Sequence, residues 1–338
     1  MPVVTYKCPA CGSALSYDPQ WEKFSCASCG SRYEENELTH TVQDEPDALG
    51  GAMVYSCPSC GGEVVTEETT AAAFCYYCHN PVVLKGRVSG DWKPDGVLPF
   101  EVTREEAAQA FLNWAEKKRF TPKGFSARQH IDKITGVYYP YWLSRVEMEA
   151  TFEGKGENSS TVSGAKHIVT TTKHYRVMRK ARMAFENLVR PALLKQDRLL
   201  ADGVQPYDLG KVKPFSESYL SGFMAERRDV EASSLEAGLK EETKGYTENL
   251  IRPRGEYQRV TGSVSLSDVK ASHRYLLLPA WVVTYKAPNG KMDYYIVNGQ
   301  TQTTCGILPV DKGRLLGACA GVAAAVAALV CVGGYFLW

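Results

Sequence analysis

Before position 315 the 338-residue sequence contains no uninterrupted apolar run of 18 residues, which excludes a second helical membrane span upstream of that point. It contains no G-x-x-x-x-G-K-[ST]. The short GKG at 154–156 and NGK at 289–291 lack the other glycine and the hydroxyl residue of a phosphate cradle, so a P-loop ATPase is excluded. No charged stretch followed by an apolar one opens the chain, since MPVVTYKCPACG is mixed, so no secretory signal peptide is expected and the cysteines are expected to stay reduced. Paired catalytic groups are scarce too. His167 and His174, seven apart in a Thr-rich expected strand, fall on opposite faces, and Cys305, Cys319 and Cys331 have no evident base beside them. The sequence therefore predicts no enzyme.

What it does contain is a repeated cysteine pattern. Cys8, Cys11, Cys26 and Cys29 form two Cys-x-x-Cys pairs, and Cys57, Cys60, Cys75 and Cys78 repeat them 49 positions later. Tetrahedral zinc takes four thiolates, and each Cys-x-x-Cys turn supplies two from one tight loop, so the spacing predicts two structural Zn2+ sites with no open coordination position. A disulfide framework would need an oxidising compartment, and a thioredoxin-type site would use one such motif at the start of a helix rather than four in matched pairs. Glycine follows the second cysteine at Gly12, Gly30 and Gly61, as a turn ending at positive φ requires. The fourth turn has His79 there, read as an exposed turn residue, with a ligand role as the alternative.

From Leu315 onward the sequence LLGACAGVAAAVAALVCVGGYFLW carries no charge. As a helix it would be about 36 Å long against a hydrocarbon core of about 30 Å, which predicts a transmembrane helix over 315–337. Lys312 and Arg314 precede it, while Tyr335, Phe336 and Trp338 cluster at its far end, where aromatic rings favour the interface. A single-pass tail anchor in the cell membrane is expected, with the N-terminal domains cytosolic; a buried C-terminal core helix is the alternative. Gly317 and Gly321 form G-x-x-x-G and Ala325 continues the spacing, a groove suited to helix association that an Ala-rich span also produces by composition alone.

The near-neutral total, 39 Lys and Arg against 38 Asp and Glu, hides an asymmetry. Residues 1–85 hold four basic against eleven acidic side chains, net −7, and the remainder 35 against 27, net +8. Acidic ribbons repel nucleic acid and suit a basic protein surface. The basic run KHYRVMRKAR at 173–182 is the best case for nucleic acid, but beside a membrane it also suits anionic lipid headgroups.

In the body, Thr103 and Glu106 make a capping box before an apolar stripe of Ala107, Ala110, Phe111 and Trp114, predicting a helix to Lys118 closed by Pro122 and Gly124. Trp142, Val146, Met148, Ala150 and Phe152 then alternate with Arg145, Glu147 and Glu149 as a half-buried strand. The order recurs as a helix from Asp229 to about Thr247 and a hairpin through Asn289-Gly290, with Pro140-Tyr141-Trp142 and Pro279-Ala280-Trp281 in matching places. The expected class is α+β: zinc ribbon 1 at 1–39, a polar linker at 40–52 that lets it swing, zinc ribbon 2 at 53–86, related α+β units at 92–212 and 213–312, and the membrane helix.

CPACG, CPSCG, AAFCYYC, GVYYPYWL, YLSGFMAERRDVEA, LLLPAW, VNGQTQ and GILPVDKGR together resemble bacterial membrane-anchored double zinc-ribbon proteins, over essentially the whole chain. Such proteins carry labels such as TFIIB-type zinc ribbon or replication-restart helicase; no motor motif here supports the second. The resemblance implies a role in membrane-stress assemblies, with SPFH-type or phage-shock-type membrane proteins as partners. Gln302 stands where the resembling proteins have glycine. The expected function is a tail-anchored scaffold or recruitment adaptor that docks proteins through its ribbons; a membrane-tethered zinc-ribbon nucleic-acid binder is the alternative.

Overall fold

The computed structural model describes residues 3–43, 46–49, 52–61, 63–75, 77–118, 120–121, 134–164, 167–286, 292–307 and 310–337. Pro122, Gly124 and the Asn289-Gly290 turn lie outside them. The protein is mixed α+β, with four α-helices among the described residues: α1 (Arg104–Glu116), α2 (Arg198–Gly203), α3 (Ala232–Ile251) and α4 (Lys312–Leu337). Its residues divide into two compact units. The first comprises Met1–Tyr139, Lys195–Arg227 and Leu277–Trp338, the second Pro140–Leu194 and Arg228–Leu276.

In the first unit, both cysteine-rich segments are built around one strand, Val3–Lys7. It pairs antiparallel with Thr39–Gln43 on one side and with Pro81–Leu84 on the other, Val3 lying opposite Leu84. Because strand side chains alternate between faces, Val3 packs with Tyr55, Cys57, Val64, Cys75, Val82 and Leu84, while Val4 and Tyr6 pack with Cys8, Leu15 and Cys26. One strand thus feeds both cysteine-containing cores. The second segment is also hydrogen-bonded onward: Thr70–Phe74 pairs with Met224–Glu226, and that strand pairs in parallel with Val137 and Tyr138. The first segment is held to the same unit by Tyr17 N donating to the Ser221 carbonyl at 3.0 Å and Ser221 Oγ donating to the Leu15 carbonyl at 2.6 Å. The freely swinging ribbon expected from a polar linker is replaced by a strand, Thr39–Gln43, paired along its whole length.

Each unit contains the same local arrangement. In the first, Gly299 N donates to the Pro279 carbonyl, the Gly299 carbonyl accepts from Glu101 N and Val102 N, and Trp281 Nε1 donates to the Val102 carbonyl at 3.0 Å. In the second, Ala192 N donates to the Pro140 carbonyl, the Ala192 carbonyl accepts from Asp229 N and Val230 N, and Trp142 Nε1 donates to the Val230 carbonyl at 2.8 Å. Val102 lies two residues before α1, and Val230 two before α3. Each Pro-x-Trp segment therefore anchors the start of a helix, but the helix belongs to the other half of the sequence.

The predicted capping box of α1 is present, Glu106 N donating to Thr103 Oγ1 and Thr103 N to Glu106 Oε2. The strand Ile134–Ser163 pairs with Ile168–Pro191 from Tyr141 opposite Pro191 to Ser163 opposite Ile168. Val146, Met148, Ala150 and Phe152 are buried on one face as predicted, against Leu239 and Ile251 of α3 and side chains of Arg259–Lys286. Two threonines on the buried face of α3 are satisfied, Thr243 Oγ1 by donating to the Leu239 carbonyl one turn earlier and Thr247 Oγ1 by Met148 Sδ of the strand Ile134–Ser163. Beyond Asn158 the hairpin is exposed on both faces, with Thr161 and Thr170 joined by a 3.0 Å hydroxyl contact.

Glycines set one close approach in the second unit. A Cβ on Gly154 would lie 2.3 Å from the Thr261 carbonyl oxygen, and one on Gly262 would lie 2.4 Å from that of Glu153. Backbone cannot yield as a side chain can, so Gly154→Ala and Gly262→Ala are each expected to destabilise this unit by about 1–3 kcal/mol, read from denaturant midpoints; unchanged midpoints for both would refute the packing. Gln302, where the resembling proteins have glycine, adopts φ 61°, the left-handed conformation glycine enters most readily.

Candidate metal centres

Each Cys-x-x-Cys turn closes in the same way. Gly12 N donates to the Cys8 carbonyl, Gly30 N to that of Cys26, Gly61 N to that of Cys57 and His79 N to that of Cys75, all at 2.8–3.0 Å. The closing residue needs positive φ: 74° at Gly12, 73° at Gly30, 74° at Gly61 and 55° at His79. Histidine is among the side chains that tolerate this region, so His79 does the work of the missing glycine.

These turns bring the eight predicted cysteines into two groups, Cys8, Cys11, Cys26 and Cys29, and Cys57, Cys60, Cys75 and Cys78, with all sulfurs of a group within 4.8 Å of one another. Cys8 to Cys29 is 3.6 Å and Cys11 to Cys26 3.5 Å; Cys57 to Cys78 and Cys60 to Cys75 are both 3.7 Å. Four sulfurs bound at about 2.3 Å on the corners of a tetrahedron lie about 3.8 Å apart, so the spacing fits a zinc-sized ion. In each pair the first cysteine is buried, while the second is exposed in the first three turns and half-buried at Cys78. The Tyr33 hydroxyl, 3.5 Å from Cys8 Sγ, is the foremost influence holding that thiol down at about 6. Burial pushes the Cys57 thiol up.

His79 is not in the second sulfur group. His79→Gly is therefore expected to keep the metal content unchanged and to stabilise the second ribbon by up to about 1 kcal/mol, the cost of a side chain at positive φ being relieved. Loss of one bound ion per chain, measured by elemental analysis, would make His79 a ligand.

Around the two centres lie side chains that sequence reasoning did not single out. Trp21 is 48% exposed with the Arg32 guanidinium 3.9 Å over its ring; Val65 and Tyr77 are exposed on the second ribbon. Exposure of an aromatic has no periodicity to betray it. In the second unit, Ser144 Oγ lies 2.8 Å from His273 Nδ1, and His273 Nε2 3.9 Å from Glu236. This resembles a nucleophile and base, but Ser144 is wholly buried and offers no substrate an approach. His174 lies 3.4 Å from Glu157 across the hairpin, and Cys305 stands beside Gly203 with its thiol pushed up by burial.

At the other end, α4 is long and apolar enough over Lys312–Cys331 to cross a membrane, and none of that stretch is buried. Asp311 Oδ1 caps it by accepting from Gly313 N and Arg314 N.

A mixed α+β chain with two four-cysteine groups and one exposed apolar helix is the class these features define. It is similar to the uncharacterized protein YdjG of Bacillus subtilis (strain 168), with 29% identity over 332 residues, 95% of this chain and 94% of the relative. No protein-family model and no solved structure matches it.

Proposed function

We propose that the chain is a tail-anchored membrane protein that works as a scaffold or recruitment adaptor, with two zinc-folded ribbons as protein-docking modules on the cytosolic side. The observation that carries this reading is the joining, in one chain, of two four-sulfur groups at zinc spacing to an apolar helix with no buried face. Zinc suits both centres, because four thiolates saturate it and leave no open coordination position. The metal's chemistry there is structural. The matched contacts of Trp142 and Trp281 support a body of two related arrangements, each joining a helix and a strand from opposite halves of the sequence rather than lying within 92–212 and 213–312. Partners of SPFH or phage-shock type remain the reading favoured by family resemblance, and pairing through Gly317 and Gly321 is compatible with the open space around both glycines.

Trp21 and Tyr77 are the side chains for docking, because exposed aromatics dominate the energetics of protein interfaces. Affinity purification from gently solubilised membranes tests this. Trp21→Ala with Tyr77→Ala is expected to keep both metal ions and lose the co-purifying proteins; an unchanged partner set would refute ribbon docking.

The nucleic-acid reading rests on the basic run at 173–182. Arg182 is paired with Glu149 at 3.0 Å, and Arg179 is paired with Glu256, which reduces the charge available to phosphates. The outward-facing partners across that hairpin are Glu149, Thr151, Glu153 and Lys155, and the aromatic of the run itself, Tyr175, is already packed against Tyr257, 5.4 Å between ring centroids. No retention of duplex DNA at physiological salt is expected, and tight retention would reverse the order of the two readings.

A further inference from the structure

Outside the ribbons and α4, the described residues of the first unit expose only three large apolar side chains: Leu199 at 73%, Ile307 at 67% and Val310 at 54%. Scattered singly over a surface such residues need no explanation, but Leu199 belongs to one of two elements that pack together, Ile307 directly follows the other, and Val310 stands between Ile307 and α4 in the chain. Leu199 lies in α2, which packs on the strand Thr304–Gly306, and Cys305 Sγ lies 3.9 Å from the Leu199 carbonyl. Ile307 and Val310 follow that strand and directly precede α4.

Asp197 fixes the orientation of α2 by accepting from Leu199 N and Leu200 N. Leu200 and Ala201 are thereby buried, while Arg198 and Leu199 face outward.

Basic side chains flank the start of α4, just after Val310. The chain just after α1 is tied to the start of α4: Asp311 N donates to the Phe120 carbonyl at 2.7 Å, and Arg314 Nη1 to the Thr121 carbonyl at 3.0 Å. This sets Lys117 and Lys118, both exposed, close in sequence to the contact points that hold Lys312 and Arg314. Exposed aliphatic tips with a basic border, continuous with a membrane-length apolar helix, match an anionic bilayer surface: the tips enter the acyl boundary and the cations meet headgroups.

We infer that Leu199, Ile307 and Val310, bordered by Lys117, Lys118, Lys312 and Arg314, form a lipid-docking surface that seats the first unit on an anionic membrane beside its own anchor. The inference rests on the anchor reading of α4 and goes beyond it, because a spanning helix alone leaves the preceding domain free to tumble above the bilayer. It also moves the lipid contact away from the basic run at 173–182.

The test uses the full chain reconstituted in vesicles of phosphatidylcholine and phosphatidylglycerol with brominated acyl chains, which quench a fluorophore that reaches them. A fluorescent amino acid is placed in turn at 199, 307, 326 within α4, and 246, an exposed position in the second unit. Emission at 199 and 307 is expected to lose most of its intensity, and to recover much of it in pure phosphatidylcholine or with Lys117→Glu and Lys118→Glu. Emission at 326 should be quenched in every vesicle, and at 246 in none. If 199 and 307 behave like 246 while 326 is quenched, the surface is refuted and the anchor stands. If 326 also keeps its emission, the anchor reading fails and this inference falls with it.

Discussion

Cys57→Ser is expected to halve the zinc content, from two ions per chain to one, and to loosen structure well beyond its own ribbon. Structural zinc contributes about 10–16 kcal/mol of apparent binding energy in finger peptides, comparable to or larger than the net stability of a whole domain, about 5–15 kcal/mol. A self-contained ribbon would confine the damage. Here Cys57 and Cys75 share a core with Val3, Val82 and Leu84, and Thr70–Phe74 is hydrogen-bonded to Met224–Glu226. Arg227 N also donates to the Thr69 carbonyl, and its side chain pairs with Glu68 at 2.8 Å. Amide hydrogen exchange should therefore rise at 3–7 and 224–227 as well as at 53–84. Fast exchange confined to 53–84 would show that the ribbon is modular after all. Cys305→Ser, which touches neither sulfur group, should leave both ions in place.

The second large effect is on location. Val326→Arg puts a charge near the middle of α4, at a cost of about 2.5–3.5 kcal/mol on the insertion scale, on the order of a hundredfold in the insertion ratio. Alanine and glycine contribute little to insertion, so this span has a small reserve and one arginine should shift the protein into the soluble fraction. Val326 is more than half exposed, and a soluble helix with that side chain in water would accept arginine without consequence. Retention of Val326→Arg on carbonate-washed membranes, or a wild-type chain found in the soluble fraction, would refute the span.

The metal centres were legible in the sequence because their determinants are local. Cysteine spacing and the glycine after each pair specify a four-residue turn, and even the exception, His79, keeps the turn's φ at 55°. The helix α1 was legible for the same reason, its cap and first turn being contiguous. The second long helix begins at Ala232 rather than Asp229 and continues to Ile251, where Pro253 holds Arg252 in an extended conformation. Glu231 at its N-cap pairs with Arg228 and makes no side-chain bond to the first turn of the helix, which removed the usual mark of a start.

The long strands were legible only in part. Alternation is clear from Trp142 to Phe152, where one face is buried, and disappears through GKGENSSTVS, where glycines replace side chains on the buried face and, beyond Asn158, both faces meet solvent and the hairpin is held by its ladder and hydroxyl pairs. Pairings such as Val3 with Leu84 or Ala72 with Ala225 leave no trace in either segment alone. The repeat of Pro-x-Trp was visible, but not that each indole would bind the carbonyl before a helix from the opposite half of the sequence.

The pairing of Thr70–Phe74 with Met224–Glu226 also sets a clock for biosynthesis. At about 5–20 residues per second, the roughly 150 residues between Ala72 and Ala225 take on the order of 10 s to emerge. Throughout that interval TAAAF, whose alanines are buried in the finished protein, presents an open strand edge to its surroundings. Such an edge recruits other chains unless it is shielded. Metal shortage is therefore expected to appear first as co-translational aggregation rather than as loss of folded protein.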